Sequence, residues 1–245
     1  MSNALVIVPT YNEKENIALI AEAVFALQRP VHLLIVDDNS PDQTAQIVQD
    51  LQTHYNTQEK KLHLLQRKGK LGLGTAYIEG FHYALQNNYE YILEMDADFS
   101  HDPNDLPRLI AACEKGSDVS VGSRYATGVN VVNWPIGRVL LSYFASSYVR
   151  VITRMPIRDA TAGFVCYKKV VLETIPLNKV KFIGYAFQIE MKFLAWKYGF
   201  KITEVPIIFT ERVRGHSKLS AGIFKEAFFG VLQMKIMSWF KSYKK

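Results

Sequence analysis

Two carboxylates one residue apart close the segment Tyr91-Ile92-Leu93-Glu94-Met95-Asp96-Ala97-Asp98, and no other stretch of the chain carries as much chemistry. Strand alternation would normally bury one of the pair, and an uncompensated buried carboxylate is costly, so residues of this kind belong at a cleft mouth with a cation. Their hard oxygen donors suit Mg²⁺ or Mn²⁺, with coordination positions left open for a substrate phosphate. The competing reading is a helix N-cap cluster. Asp102-Pro103 already supplies that helix start, which leaves Asp96 and Asp98 for a metal.

A second acidic pair, Asp37-Asp38, ends another apolar run and leads into Asn39-Ser40-Pro41-Asp42. A carboxylate at a strand end accepts hydrogen bonds from a ribose or a base edge in nucleotide-binding sheets. Asn, Ser, Pro and Asp also build turns by themselves. The roles therefore divide, with Asp38 for a ligand and Ser40 to Asp42 for the turn and the helix start. The stretch Gly69-Lys70-Leu71-Gly72-Leu73-Gly74 matches neither GxGxxG nor GxxxxGK[ST], so it is weak as a phosphate loop; a basic loop beside the substrate and a plain surface loop both stay open. Singly, Arg124, Arg138, Arg212 and Lys218 each read as solvated surface charges. Opposite an acidic metal site they read together as a diphosphate clamp, since a unit-charge pair at about 4 Å is worth roughly 4 kcal/mol at an effective dielectric near 20. His216 has no partner that the sequence can name and reads as structural.

Residues so far apart in sequence need strand ends to bring them together. Apolar β-rich runs at 4–9, 32–37, 62–66, 89–96 and 118–122 alternate with helical spacing at 13–27, 42–55, 74–86 and 103–114. That order predicts an α/β fold with a mostly parallel sheet, helices on both faces, and ligands outside the carboxyl ends of the strands. The second half predicts helices at 135–154 and 186–198, strands at 163–167 and 201–209, a basic loop at 212–218, and an apolar helix at 220–240. No linker or internal repeat interrupts the chain, so it reads as one domain, 1–218, with a C-terminal helix in 219–245.

Composition narrows the class. With 49% hydrophobic and 21% charged residues, and only 14 Gly and 9 Pro in 245 residues, collagen-like and disordered readings are excluded. Lys and Arg number 29 against 23 Asp and Glu, and the net charge of +6 favours anionic partners. Nothing beyond charge points to nucleic acid. Cys113 and Cys166 have no metal-ligand spacing and read as two buried thiols in a reducing compartment. No secretory signal is expected from the first residues, and no apolar run approaches the roughly 18 residues of a spanning helix.

Taken together, Val8-Pro9-Thr10-Tyr11-Asn12-Glu13, Asp37 to Asp42, Leu71-Gly72-Leu73-Gly74-Thr75-Ala76-Tyr77, Met95-Asp96-Ala97-Asp98, Gly122-Ser123-Arg124-Tyr125 and the basic loop at 212–218 resemble the GT-A family 2 glycosyltransferases. Within that family the resemblance is to polyprenol (dolichol) monophosphomannose synthases, and it runs from about residue 4 to residue 218. It implies that Pro9, Tyr11, Glu13, Val36 and Asp38 hold a nucleoside, and that Asp96, Ala97 and Asp98 face the sugar nucleotide and its Mg²⁺ or Mn²⁺. Arg124, Arg212 and Lys218 would hold phosphates, and Arg138 and Ser142 would hold the acceptor phosphate. The implied donor is GDP-mannose and the implied acceptor a dolichyl or undecaprenyl phosphate, used at the cytoplasmic face of a membrane by a peripheral enzyme, with an associated membrane protein as a further partner.

Three positions depart from the family pattern. Ser100 stands where some members carry a Gln that helps hold the ion, Tyr143 where many carry Arg, and Val165 where many carry a basic residue. The last two imply a less basic acceptor pocket. Gln188-Ile189-Glu190-Met191 lacks the QxxRW of processive synthases, which argues against polymerisation. Because the acceptor phosphate is already ionised, the expected reaction needs no strong base. Catalysis falls on the departing diphosphate, with Asp98 and Arg124 foremost, and a single displacement inverts the anomeric centre. The C-terminal helix and residues 139–149 read either as membrane-interface elements or as packing on the sheet. Three alternatives stay open: another donor such as UDP-glucose, a nucleotidyltransferase, and a non-catalytic sugar-nucleotide binding module.

Overall fold

The computed structural model describes residues 2–211 and 221–243, with 221–227 described through their backbone alone. Runs of Val, Ile and Leu that are apolar on both faces of the pleat, as in β1 (Ala4–Thr10) and β2 (His32–Asp37), become interior strands. The other strands among the described residues are β3 (Leu62–Gln66), β4 (Tyr91–Glu94), β5 (Val119–Ser123), β6 (Val131–Val132), β7 (Val165–Lys168), β8 (Ile202–Pro206) and β9 (Phe209–Thr210). The helices are α1 (Ile17–Phe25), α2 (Thr44–Tyr55), α3 (Leu73–Gln86), α4 (Leu106–Glu114), α5 (Ile136–Thr153), α6 (Lys169–Thr174), α7 (Ala186–Lys197) and α8 (Ala221–Met237).

The main sheet has the order β3-β2-β1-β4-β7-β5-β8, and β6 pairs with β9 apart from it. All neighbours in the main sheet run parallel except at β7, which is antiparallel to both β4 and β5. The chain steps outward from β1 through β2 to β3 and then returns to β4 on the other side of β1, so the carboxyl ends of β1 and β4 flank a topological switch point. Val6, Val8, Ile20, Val48 and Leu109 fill one face of the sheet beneath α1, α2 and α4. Ile7, Tyr77, Phe81, Tyr167 and Phe187 fill the other beneath α3 and α7. A third cluster, with Val149, Ile189, Phe193, Val231 and Met234, joins α5, α7 and α8.

This is the α/β architecture expected, with departures at element ends, in one divided strand and in an added helix. Helix α1 begins at Ile17, not 13, because Asn12 takes a left-handed backbone (φ 58°) and the next turn is tied elsewhere. The helix expected at 103–114 opens as a 3₁₀ turn whose first free N–H, on Asn104, is capped by Asp102 Oδ1 at 2.9 Å. The strand expected at 201–209 divides into β8 and β9, and α6 had no expectation at all. Of the glycines in the 69–74 stretch, Gly72 and Gly74 serve packing, while a Cβ on Gly69 would meet nothing within 4 Å. A Cβ on Gly74 would lie 2.8 Å from Phe182 O and from the Phe187 ring, and Gly72 has φ +103° with Ile183 O only 3.1 Å from its Cβ position. They bring the start of α3 against the chain entering α7.

Candidate active site

At the switch point the carboxyl ends of the strands open into a cleft of about 590 Å³. Pro9, Tyr11, Glu13 and Asp38 line it from the ends of β1 and β2, Asp96, Ala97 and Asp98 from the end of β4, and, on the far side across β7, Arg124 from the end of β5 with Arg138 and Ser142 of α5. Val36, expected to hold a nucleoside, is not among the lining residues: its side chain is fully buried in the core, two positions before Asp38. Arg212 and Lys218, with the rest of the expected basic loop and His216, lie outside the described residues.

The Asp38 end of the cleft is fixed by the chain's own hydrogen bonds. Backbone N–H groups of Asn12, Glu13 and Lys14 donate to the side chains of Ser40, Thr44 and Asp42 at 3.0 Å each, which zips the loop after β1 to the loop after β2. Asp37 is spent within this turn. Its Oδ1 accepts from Thr10 Oγ1 at 2.9 Å and Ser40 Oγ at 2.6 Å, and its Oδ2 accepts from Ser40 N at 2.9 Å. Asp38 is held by Arg67, whose Nη1 donates to Oδ1 at 2.6 Å while Nε reaches Glu79 at 3.0 Å and Nη2 reaches Thr75 at 2.5 Å. Burial raises the Asp38 pKa, and Arg67 only partly opposes it. The sequence reading missed Arg67, although its place directly after β3, beside an acidic strand end, was a usable signal. Lys70 Nζ lies 4.7 Å from the centre of the Tyr11 ring, so the glycine-bearing loop does flank the cleft.

The acidic bend is shaped by two local devices. Phe99 adopts a left-handed backbone (φ 60°), and Asp98 Oδ1 accepts from Ser100 N at 3.1 Å. The Asp96 N–H donates to His101 Nδ1 at 3.2 Å, and His101 is stacked on Phe164 at 4.8 Å. Burial drives the His101 pKa down to about 4, so the ring is neutral. Since Nδ1 accepts from the backbone, its 3.9 Å approach to Asp96 Oδ2 is not an ion pair. Asp98 is buried while the Asp96 carboxylate is 40% exposed. No cluster of three or more His, Cys, Asp or Glu suited to a metal occurs among the described residues. Two carboxylates with a buried Ser100 Oγ that has no hydrogen-bond partner make a partial hard-oxygen set, which fits a Mg²⁺ or Mn²⁺ that takes its other ligands from phosphate and water.

Behind the bend, Glu94 ends β4 fully buried, and neither carboxylate oxygen has a hydrogen-bond partner. Burial pushes its pKa up to about 8, against the pull of Lys192 on α7. Lys192 is equally buried, and its Nζ donates to Ala162 O at 2.6 Å and Gln188 O at 2.8 Å.

On the far wall Arg124 is not a lone cation. Asp159, wholly buried, accepts from Arg124 Nε at 2.8 Å, Nη2 at 2.6 Å and the backbone N at 2.9 Å. Burial by itself would raise the Asp159 pKa, but the Arg124 guanidinium holds it below the usual carboxylate range. Glu204 on β8 anchors the assembly by accepting from Ser123 Oγ at 2.7 Å and Asp159 N at 2.9 Å. A phosphate at this wall therefore meets an oriented Arg–Asp pair. Arg138, four residues before Ser142 on one face of α5, pairs with Glu211 and lies 4.1 Å over the Trp134 ring. Asp159, Glu94 and Lys192 had no role in the sequence reading: Asp159 meets Arg124 across 35 positions, Lys192 meets Ala162 across 30, and the surroundings of Glu94 come from α7, all beyond any local period.

Comparison with known proteins identifies the family. A glycosyl transferase family 2 model matches residues 5–175. The chain is 44% identical over 232 residues to the polyprenol monophosphomannose synthase of Mycolicibacterium smegmatis, covering 95% of this chain and 86% of that one. It is 40% identical over 223 residues to the undecaprenyl-phosphate mannosyltransferase of Micrococcus luteus, covering 91% and 90%. Among solved structures, glucosyl-3-phosphoglycerate synthase from Mycobacterium tuberculosis, crystallised with Mn²⁺, UDP and glucosyl-3-phosphoglycerate, superposes with a TM-score of 0.66 at 15% identity, over 96% of this chain and 79% of that one. That likeness concerns the GT-A fold alone. A family match over most of the chain, and relatives at this level of identity along nearly its whole length, make it a glycosyltransferase belonging to family 2.

Proposed function

We propose that the enzyme moves mannose from GDP-mannose to a polyprenyl phosphate, with inversion, at a site that takes Mg²⁺ or Mn²⁺. The observation that carries this reading is the position of the Asp96 to Asp98 bend, between a prebuilt nucleoside end at Asp38 and a second anion-receiving wall at Arg138 and Ser142. Two mannosyltransferases acting on polyprenyl phosphates are relatives at 40% identity or more, which favours that donor sugar and that acceptor class.

Pro9, Tyr11, Glu13 and Asp38 would hold the nucleoside, with Asp38 Oδ1 already taken by Arg67. Asp96 and Asp98 would hold the divalent cation, which supplies Lewis-acid neutralisation of the departing diphosphate. Arg124, fixed by Asp159, adds an oriented donor at that diphosphate, and Arg138 with Ser142 orients the acceptor phosphate. Arg212 and Lys218 are proposed as further phosphate ligands on the family resemblance. No side chain need remove a proton from an acceptor that is already anionic.

A lipid acceptor calls for contact with a bilayer. Ile136, Leu140, Leu141 and Phe144 on α5, and Phe228, Phe229 and Ile236 on α8, are exposed apolar residues. No helix among the described residues is long and apolar enough to cross a membrane. We read α5 and α8 as resting on the bilayer surface, at its cytoplasmic face, with 1–218 as the catalytic unit. The decisive assay supplies Mg²⁺ or Mn²⁺, a polyprenyl phosphate and a panel of labelled sugar nucleotides. Turnover of GDP-mannose alone is expected, UDP-glucose turnover would rename the donor, and release of pyrophosphate would move the reaction to nucleotidyl transfer. Asp98→Ala should lower kcat by about two to three orders of magnitude in a protein that still folds; near-normal turnover would remove the metal from the mechanism.

A further inference from the structure

Within the cleft wall one buried amide makes no hydrogen bond of ordinary geometry. Gln188, in the first turn of α7, is 3% exposed, lines the cleft, and has no hydrogen-bond partner at either Oε1 or Nε2. Its backbone is fixed, because Lys192 Nζ donates to its carbonyl at 2.8 Å. Glu94 lies close behind it, near enough for the amide to draw on the carboxyl, though the two form no pairing of ordinary geometry. On another side stands Gly163, itself a cleft residue; a Cβ there would sit 3.8 Å from Gln188 Nε2 and 3.9 Å from His101 Cε1. The missing side chain leaves room beside the amide.

His101 is hydrogen-bonded to the Asp96 backbone, so Gln188 and Gly163 adjoin the acidic bend, and Gly163 leads into β7, which flanks β4 on the side opposite β1 and β2 and hence away from Asp38. Between a diphosphate at the bend and an acceptor phosphate at Arg138 the donor's sugar must lie. We propose that Gln188 is a specificity-determining residue that hydrogen-bonds the hydroxyl groups of the donor's hexosyl moiety, an assignment that rests on the glycosyl-donor reading above. A primary amide presents one donor group and one acceptor in a single plane, which matches two neighbouring hydroxyls. An epimer at either carbon would make one bond fewer and leave a buried polar atom unpaired, and sites built this way discriminate strongly. A nucleoside diphosphate without its sugar would not reach the amide.

The test separates sugar from nucleotide. Titration calorimetry with Mn²⁺ compares GDP and GDP-mannose binding to the wild type, Gln188→Leu and Gln188→Glu, and transfer to a polyprenyl phosphate is measured with GDP-mannose and GDP-glucose. Gln188→Leu should keep GDP affinity within about twofold, weaken GDP-mannose at least about tenfold, and flatten the preference between the two sugars. Gln188→Glu keeps the shape and an acceptor, so it should fall between, with an unchanged urea midpoint as the folding control. An unaltered ratio of GDP-mannose to GDP affinity in Gln188→Leu, or equal weakening of both, would overturn the assignment. If the wild type uses a different sugar nucleotide, the same ratio is taken with that donor and its own nucleoside diphosphate, and the same outcomes decide. A wild type that transfers no sugar at all would defeat the functional reading itself.

Discussion

At the amino-terminal ends of β2 and β3, Glu59, His32, Tyr89, His63 and Tyr83 form one hydrogen-bonded chain, with links of 3.2, 2.6, 3.2 and 2.8 Å. At the carboxyl-terminal end of β4, in the same sheet, Glu94, Ser100, Gln188, Tyr77 and Tyr167 all carry buried polar atoms with no partner. Buried polar groups are normally satisfied, so a cluster of orphans needs a reason. The first set is complete as folded and belongs to the scaffold. The second lies beside the acidic bend, and Ser100 and Gln188 of it line the cleft, where a ligand would supply what the chain does not. The contrast yields a rule that experiment can break: loss of a satisfied group should cost stability, and loss of an orphan should cost function or nothing.

The largest expected effect converts a satisfied pair at the cleft into an orphan. Asp159→Ala leaves the Arg124 guanidinium buried without its carboxylate, and breaking a buried pair this way typically costs about 3–5 kcal/mol. Urea unfolding measures it. Asp159→Ala combined with Arg124→Met should recover most of the loss, since no unpaired charge is then left. A single variant as stable as the wild type would mean that water already shares the pair.

The next effect probes the amino-terminal chain through pH. Burial, aided by His32 and Lys60, lowers the His63 pKa from 6.5 to about 4. Between those values the unfolded chain binds a proton that the folded chain refuses, so stability is fully present above pH 6.5 and is lost as pH falls toward 4. The full loss is roughly 3 kcal/mol, with about 2 kcal/mol gone by pH 5. His63→Gln should remove that part of the pH slope in urea melts at pH 7 and pH 5, and leave kcat unchanged. An equal slope in both proteins would show that the chain protonates without strain.

These two sites also mark how far the sequence could be read. Strands β1, β2 and β4 were legible because runs such as Leu33-Leu34-Ile35-Val36 are apolar on both faces, and Asp38, Asp96 and Asp98 were legible because they interrupt such runs at their ends. The parallel order followed from the alternation of strands with helices. The antiparallel insertion of β7 did not, since Val165 to Lys168 reads as a strand without a direction. Partners were the blind spot. Arg67 meets Asp38 across 29 positions and Arg124 meets Asp159 across 35, and a charge so far along the chain leaves no periodic trace. Glu94 was visible as a charge but not as an orphan, because its surroundings come from α7. Gly72 and Gly74, in a stretch that read as weak for a phosphate loop, proved to be close-packing residues, because Phe182, Ile183 and Phe187 arrive from more than a hundred positions along the chain.

The smallest effects sharpen the contrast best, because they compare one hydroxyl with another. Tyr89 and Tyr167 are both buried tyrosines of the same core cluster, so removal of either hydroxyl deletes the same atom from similar surroundings. Tyr89 Oη joins His32 Nδ1 at 2.6 Å to His63 Nε2 at 3.2 Å, whereas Tyr167 Oη touches no polar partner. Tyr89→Phe strands two imidazole nitrogens and should cost about 1–3 kcal/mol. Tyr167→Phe removes an unpaired donor and should be neutral or slightly stabilising, within about 0.5 kcal/mol. Paired urea melts at pH 7.5 read both. If Tyr167→Phe proves as costly as Tyr89→Phe, its hydroxyl is bound to ordered water in the folded protein, and the polar atoms behind the acidic bend form a hydrated chamber that belongs to the scaffold just as the histidine chain does.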